Sequence, residues 1–145
     1  GFEGDGLMQR ALFTFRSVVF FDPEHPVSDH DLEAYCTRPH ARVMLGSDSG
    51  FEIDRKLAKM GRSRHVAVQA GDFDSVLRFV RGSRLIATLP SFLVRFAGRE
   101  LAHCEMPLPA REYTLMLYWH ARHQHTARHR FWRDCIVGAA ESYKA

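Results

Sequence analysis

The sequence predicts an α/β fold with a mainly parallel sheet flanked by helices. Short apolar runs typical of strands alternate with segments of about ten residues whose apolar positions recur at helical spacing. Glycines follow two of the helical segments and a proline follows one of the strand-like runs, so several elements have clear ends. Because alternating strands and helices form βαβ units, we expect most strands to share one direction.

The N-terminal part of the chain begins with a run rich in Phe and Val at residues 11–21, which is typical of one strand or of two joined strands. Ser28 is a suitable N-cap for a helix that ends near Tyr35, with acidic residues in its first turn. A short buried strand is predicted at residues 41–45 and a loop of small polar residues at 46–50.

The next predicted helix carries Ile53, Leu57 and Met60 on one face and ends at Gly61. The remaining elements are a strand at 66–70, a helix at 73–81 ended by Gly82, a strand at 85–89 stopped by Pro90, a short helix at 92–96, strands at 101–106 and 113–119, and a final helix that begins at Thr126. The final helix has two adjacent apolar rows: Phe131, Cys135 and Ala139, and Trp132, Ile136 and Ala140.

The composition indicates one ordinary globular domain. The 145 residues are 46% hydrophobic and 26% charged, and a formal net charge of +3 is too small for a dedicated nucleic-acid binder. The three cysteines lie far apart, which argues against a disulfide framework and favours a reduced, cytoplasmic setting. No apolar run approaches the roughly 20 residues of a membrane span, and the N-terminus does not resemble a signal peptide.

Two loops are candidate ligand-binding segments, because ligands of such sheets sit at the carboxyl ends of the strands. They are residues 46–50 and 71–73, and both precede helix N-termini that could hold an anion. Asp72 is either an N-cap or a ligand contact, and one residue can serve both roles. Ser47, Asp48 and Ser49 form either the lip of a pocket or a surface turn.

The stretch WHARHQHTARH at residues 119–129 contains four of the nine histidines and raises the question of a zinc site. No cysteine or acid lies close enough in the sequence to complete a ligand shell, so we favour a solvated basic turn over a metal site or a surface anion contact. No metal ligand or cofactor is assigned. Cys36 with His40 is a weak catalytic candidate, and no nucleophile elbow or phosphate-binding loop is present, so we expect a binding domain and not an enzyme.

Several segments occur in the order and spacing of a known family. They are RALF at 10–13, DPEHP at 22–26, RLIATLP at 84–90, MPLP at 106–109, and WHAR at 119–122 with HRFWR at 129–133. Together they resemble the effector-binding region of LysR-type transcriptional regulators, in the branch that includes regulators of aromatic-compound degradation and nodulation. Arg84 stands where the family has an acid.

The resemblance implies a fold like that of type-2 periplasmic binding proteins, in which two α/β subdomains flank a ligand cleft. Residues 1–145 would then be a partial effector-binding domain, with 14–106 as the second regulatory subdomain and 110–145 as the returning segment of the first. The start of the first subdomain and the DNA-binding winged helix-turn-helix would precede Gly1. Phe131, Trp132 and Ile136 would then be exposed, so we expect a second chain to cover them.

The ligand-contacting positions of the family, carried onto this sequence, are Ser49, Gly50, Phe51, Asp72 and Phe73. In the aromatic-acid branch two of them are often histidines, whereas this chain has Gly50 and Asp72. An ionised Asp72 would repel a carboxylate and favour a cationic or hydroxyl-bearing ligand, while Phe73 offers a stacking face.

The resemblance therefore implies the ligand-sensing part of a cytoplasmic, homo-oligomeric transcription regulator. It would bind a small-molecule effector, perform no chemistry on it, and contact DNA only through the N-terminal domain of the family. The alternatives are a periplasmic-type solute-binding domain and a histidine-based metal-binding or enzymatic domain.

Overall fold

The computed structural model describes residues 6–44, 49–109 and 111–144, with the backbone alone described for residues 49–51. The chain divides into two compact units. One unit is Arg16–Arg111, and the other joins Gly1–Phe15 with Glu112–Ala145. Among the described residues, no helix combines the length and the apolar character needed to cross a lipid bilayer.

The described residues form strands and α-helices in alternation over most of the chain. In chain order they are β1 (Leu7–Phe15), β2 (Ser17–Phe21), α1 (Leu32–Thr37), β3 (Pro39–Val43), α2 (Ser49–Lys59), β4 (His65–Ala70), α3 (Phe73–Val80), β5 (Ile86–Pro90), α4 (Val94–Ala97), β6 (Ala102–Glu105), β7 (Tyr113–His120) and α5 (Ala127–Glu141). Short 3-10 turns lie at Ser91–Leu93, Gly98–Glu100 and Ala121–His123.

The unit Arg16–Arg111 is built on a five-stranded sheet with the strand order β4–β3–β5–β2–β6. β3 pairs in parallel with β4 and β5, whereas β2 pairs antiparallel with β5 and β6. Four strands therefore share one direction and β2 alone opposes them, which confirms the predicted α/β class with a mainly parallel sheet. α3 packs against β3, β4 and β5.

Strand β2 is buried on both of its faces. Val18 and Phe20 belong to a core cluster that includes residues of α3 and α4, and Val19 and Phe21 belong to a second cluster that includes residues of α1 and α2. The exposed fraction of each of these four side chains is 7% or less. Successive side chains of a strand point to opposite faces. An uninterrupted apolar run is therefore what a strand covered on both sides requires.

A carboxylate fixes the C-terminal end of β2. Asp22 accepts hydrogen bonds from the backbone N–H of Glu24 at 2.9 Å and from that of Gly82 at 2.6 Å. These two bonds lower the pKa of Asp22. Gly82 has a φ of +64°, a conformation that favours glycine, so the turn after α3 presents its N–H to the end of β2.

Arg16 fixes the N-terminal end of β2. Its backbone carbonyl accepts a hydrogen bond from the backbone N–H of Ser91 at 2.7 Å, and its backbone N–H donates to Ser91 Oγ at 3.3 Å. Its guanidinium donates through Nε and Nη2 to the two carboxylate oxygens of Glu105, the last residue of β6. The start of β2 is therefore tied to the segments that follow β5 and end β6.

Two predicted helix starts are wrong. Asp31, and not Ser28, caps α1, because its carboxylate accepts a hydrogen bond from the backbone N–H of Ala34 at 2.9 Å. Helix α2 already includes Ser49 and Gly50, which the sequence pattern assigns to a loop. The rest of that predicted loop, residues 46–48, lies outside the described residues.

The predicted apolar face of α2 is only partly correct. Leu57 is completely buried, but the side chain of Met60 is 52% exposed. Met60 follows the last helical residue, Lys59, and therefore leaves the helical face before it can reach the core.

The other unit contains a two-stranded antiparallel sheet and α5. β1 and β7 pair along their lengths with one register shift between Ala11 and Phe13. α5 packs against β1, and the rings of Phe13 and Tyr143 stack with their centroids 5.1 Å apart. Ala140 is the residue of α5 that is buried. The rest of this helix is half-buried or exposed.

The apolar rows of α5 remain largely open in this chain. The exposed fractions are 62% for Phe131, 57% for Trp132 and 40% for Ile136. Such a concentration of exposed apolar side chains on one helix is uncommon on monomeric proteins.

His40 is a completely buried histidine in the core of the unit Arg16–Arg111. Its Nε2–H donates to the backbone carbonyl of Tyr35 at 2.7 Å, and the two rings meet edge to face. Its Nδ1 has no hydrogen-bond partner among the described residues. Burial lowers the pKa of His40 to about 4, so the imidazole is neutral in the folded protein.

The buried His40 predicts a loss of stability in acid that begins at a higher pH than the titration of carboxylates would produce. The folded-state pKa lies below the ordinary histidine pKa of 6.5, so the unfolded chain binds the proton more readily and stability falls as the pH decreases from 6.5 toward 4. The full loss amounts to about 3 kcal/mol in the free energy of unfolding. Urea unfolding measured at several pH values should show a shallower slope for His40→Asn than for the wild type. Identical slopes would contradict the prediction.

Candidate functional site

The carboxyl ends of β3 and β4 bring two candidate segments to the same edge of the sheet. The strands are parallel neighbours, and the backbone N–H of Met44 donates to the carbonyl of Ala70 at 2.7 Å just beyond β3. α2 begins at Ser49 and α3 at Phe73, so each strand is followed by a helix. Two helix N-termini, with their positive ends, therefore follow adjacent strand ends.

Asp72 is the N-cap of α3. Its Oδ1 accepts a hydrogen bond from the backbone N–H of Ser75 at 2.8 Å, and its Oδ2 accepts one from Ser75 Oγ at 2.9 Å. These bonds, the backbone one first, lower the pKa of Asp72, so the exposed carboxylate is ionised at neutral pH. Of the two roles considered from sequence, the structure shows the capping role. The carboxylate can still meet a ligand, since it is open to solvent.

Phe73 and Gly71 flank this carboxylate and differ in their surroundings. Phe73 is half-buried and packs against the core cluster beneath α3. A Cβ added at Gly71 would meet nothing within 4 Å among the described residues, so the backbone there borders open space. The ring of Phe73 is therefore held by the core beside an open region next to Asp72.

The other three predicted contact residues are Ser49, Gly50 and Phe51. Their backbones form the first turn of α2 at the sheet edge just described. Their side chains lie outside the described residues, as do Ser47 and Asp48.

The histidine-rich stretch folds into the junction between β7 and α5. The rings of His123 and His129 stack with centroids 4.0 Å apart, and Arg122 Nε donates to His123 Nε2 at 3.1 Å. The backbone N–H of Arg122 also donates to Nδ1 of His120. Desolvation, followed by the charge of His129, lowers the pKa of His123. Within the described residues, no three His, Cys, Asp or Glu side chains are arranged to hold a metal ion.

A second candidate site is a cleft in the unit formed by Gly1–Phe15 and Glu112–Ala145, with a volume of about 540 Å³. We call it the arginine cleft. β1 and β7 supply one wall, and α5 with the turn before it supplies the other. The lining residues are Arg10, Leu117, Trp119, Gln124, His125, Arg130, Arg133, Asp134 and Val137.

Sequence reasoning did not identify the arginine cleft. The local signals were present, because Arg130, Arg133 and Val137 lie at the i, i+3 and i+7 positions of one helical face. Leu117 and Trp119 are two residues apart in β7, so their side chains lie on the same face of this strand. Arg10 could not be assigned to the group from its position in the sequence, since more than a hundred residues separate it from α5.

Comparisons with known proteins agree on one family. The family model described as the LysR substrate binding domain matches residues 2–141. The transcriptional activator NahR of Pseudomonas putida is 25% identical over 122 residues, which cover 81% of this chain and 41% of NahR. The activator NagR of Ralstonia sp is 28% identical over 143 residues, which cover 91% of this chain and 45% of NagR. The chain thus spans less than half the length of these curated relatives.

Solved structures show the same fold. The regulatory domain of MexT from Pseudomonas aeruginosa matches with a TM-score of 0.76 at 23% identity, over 92% of this chain and 67% of that domain. The regulatory domain of CcmR from Synechocystis PCC6803, in complex with 2-PG, matches with a TM-score of 0.72 at 16% identity, over 99% of this chain and 71% of that domain. The effector-binding domain of QuiR, in complex with shikimate, matches with a TM-score of 0.69 at 13% identity, over 100% of this chain and 70% of that domain.

The capping role of Asp72 predicts a measurable loss of stability. Asp72→Ala should lower the free energy of unfolding by about 1 kcal/mol, while Asp72→Asn retains an acceptor oxygen and should lose less. Asp74→Ala is the matched control, because this carboxylate caps no backbone N–H among the described residues and instead pairs with Arg78 on the exposed surface of the same helix. Urea unfolding of the three variants should separate them. An equal loss for Asp72→Ala and Asp74→Ala would refute the capping role.

Proposed function

Because the chain belongs to the LysR substrate-binding domain family, we propose that it senses a small-molecule effector for a DNA-binding transcription regulator. The observation that carries the proposal is the convergence of the α2 and α3 N-termini at adjacent strand ends, with Asp72 exposed between Gly71 and Phe73. Open α/β sheets bind ligands at such edges. Related regulatory domains, those of QuiR and CcmR, are known in complex with shikimate and with 2-PG.

We propose Ser49, Gly50, Phe51, Asp72 and Phe73 as the contact set that this chain contributes. Ser49 and Phe73 each open a helix at the same sheet edge, which supports grouping the two segments. Phe73 is anchored by the core and would offer a ring to an apolar part of the ligand.

The charge of Asp72 bears on the class of effector. Its carboxylate is held in the ionised form by the hydrogen bonds from Ser75. An exposed anion at the site disfavours a ligand whose main group is a carboxylate and favours one with a cation or several hydroxyl groups. We therefore propose an amine or a polyol, and not an aromatic acid, as the effector.

We propose that residues 14–106 form the second regulatory subdomain of the family and that residues 110–145 return to the first. The compact unit Arg16–Arg111 has nearly the same limits, and this supports the assignment. DNA contact would belong to a further domain of the whole regulator, which would act in the cytoplasm. A ligand would shift the regulator between states only by its difference in affinity for them.

We propose that the domain performs no chemistry on its ligand. The pKa shifts of Cys36 and His40, the candidate catalytic pair, support this view. Burial raises the pKa of the Cys36 thiol and lowers that of His40 to about 4. A nucleophilic cysteine needs the opposite shift of its own pKa. His40 donates its Nε2–H to the core instead of activating a thiol.

We also propose that a second copy of the chain covers the open face of α5. Phe131, Trp132 and Ile136 supply the apolar area, with exposed fractions between 40% and 62%. Within the described residues, β1 and β7 pair only with each other, so each also presents an unpaired edge to another copy. A homo-oligomer would bury both features at once.

The effector class is testable by thermal unfolding in the presence of candidate ligands. Amines and polyols should raise the unfolding midpoint of the wild-type chain and aromatic acids should not; a ligand at about 100 times its Kd adds about 3 kcal/mol. Asp72→Asn should lose the preference for amines, whereas the control Asp74→Asn should keep it. Stabilisation of the wild type by aromatic acids alone would contradict the proposal.

The oligomer proposal predicts a change in mass on polar substitution of the α5 face. The wild-type chain should elute as a dimer or larger species in size-exclusion chromatography with light scattering, and Trp132→Gln should shift it toward the monomer. Arg128→Gln changes an exposed residue in the first turn of the same helix to the same side chain and should leave the mass unchanged. A monomeric wild type would refute the proposal.

A further inference from the structure

The arginine cleft contains one arginine that is already held in place. Nη1 of Arg133 donates to the carbonyl of His123 at 3.1 Å, and Nη2 donates to that of Gln124 at 2.6 Å. The guanidinium lies over the ring of Trp119, 4.9 Å from its centroid, and Trp119 Nε1 donates to Gln124 Oε1. A guanidinium has five N–H donors. Arg133 is therefore fixed at the cleft with donors to spare.

Two further arginines line the cleft without such partners. Arg10 and Arg130 are exposed, and among the described residues neither side chain has a hydrogen bond or ion pair, although Asp134 lines the same cleft. The lining thus has three guanidinium groups against one carboxylate, which is a clear excess of positive charge. A guanidinium group suits paired hydrogen bonds to a carboxylate or a phosphate, so arginines that line one cleft without acceptors can bind an anion there.

The size of the cleft and its mainly polar lining limit its occupant. A volume of about 540 Å³ lies in the range of small-molecule sites and is too small for a folded partner. The occupant would therefore be a small molecule that carries anionic groups.

We propose that the arginine cleft binds a small organic dianion, either a phosphate monoester or a dicarboxylate, through Arg10, Arg130 and Arg133. This site lies in the unit formed by Gly1–Phe15 and Glu112–Ala145 and shares no residue with the proposed effector contacts. Its ligand is of the opposite charge class to the one proposed at Asp72. The chain would then respond to two different molecules.

Fluorescence of Trp119 gives a direct test, since this ring lines the cleft. In the 145-residue chain carrying Trp132→Phe, Trp119 is the remaining tryptophan. Titration with phenyl phosphate and with phthalate should change its emission in a saturable way, and benzyl alcohol should not. Binding of one dianion but not the other would identify which oxyanion the cleft takes. No saturable change with either dianion, or an equal change with benzyl alcohol, would overturn the proposal.

Substitutions locate the binding. Arg10→Gln and Arg130→Gln should each weaken the dianion by about tenfold, since each removes charge-assisted hydrogen bonds, and Arg130→Lys should recover part of the loss. Arg128→Gln, on the exposed surface of the same helix, should change the Kd by less than about twofold. An equal effect of Arg128→Gln would show diffuse charge attraction and refute the site. Asp72→Asn should leave dianion binding unchanged, so the result does not depend on the effector proposal.

Discussion

The double burial of β2 is the constraint on which the larger unit depends. Its four apolar side chains lie in two different clusters, and each cluster is closed by different helices. Burying a Val or Phe side chain fully is worth about 2 kcal/mol. The helices on each face are consequently required, because an uncovered face of β2 would leave a pair of these side chains in water. Because α3 packs in one of these clusters and α2 in the other, the burial of β2 also fixes where the two helices begin at the edge of the sheet.

Much of the fold could be predicted from local patterns, because strands and helices are marked by their own periodicity. The start of α1 could not be predicted from such patterns. Asp29 Oδ1 accepts a hydrogen bond from the backbone N–H of Glu105, and the ring of His30 bonds the carbonyl of Met106. These contacts hold the residues after Ser28 against the end of β6, and the helix begins only at the next capping residue, Asp31. A contact across more than seventy residues leaves no trace in the local sequence.

The same distinction applies to the two candidate sites. Asp72 could be recognised as a cap because Ser75 follows it at the spacing that the motif needs. The arginine cleft depends on the pairing of β1 with β7, which brings Arg10 opposite Leu117. In the sequence, each of these arginines looks like an ordinary surface residue, because only the folded chain brings them into one cleft. The family resemblance predicts the fold, but the contact positions that it implies lie in the unit Arg16–Arg111 and not in the unit that contains the arginine cleft.

The polar contacts at the two ends of β2 determine its alignment. The strand sequence Val-Val-Phe-Phe places one valine and one phenylalanine on each face. A slip of one residue would exchange the faces, but each face would still carry one valine and one phenylalanine, so the apolar composition of the two faces does not by itself distinguish the alignments. The bonds of Asp22 to Gly82 and of Arg16 to Ser91 would be lost in the slipped strand. Hydrophobicity thus supplies the stability of this core, while two polar strand ends supply its uniqueness.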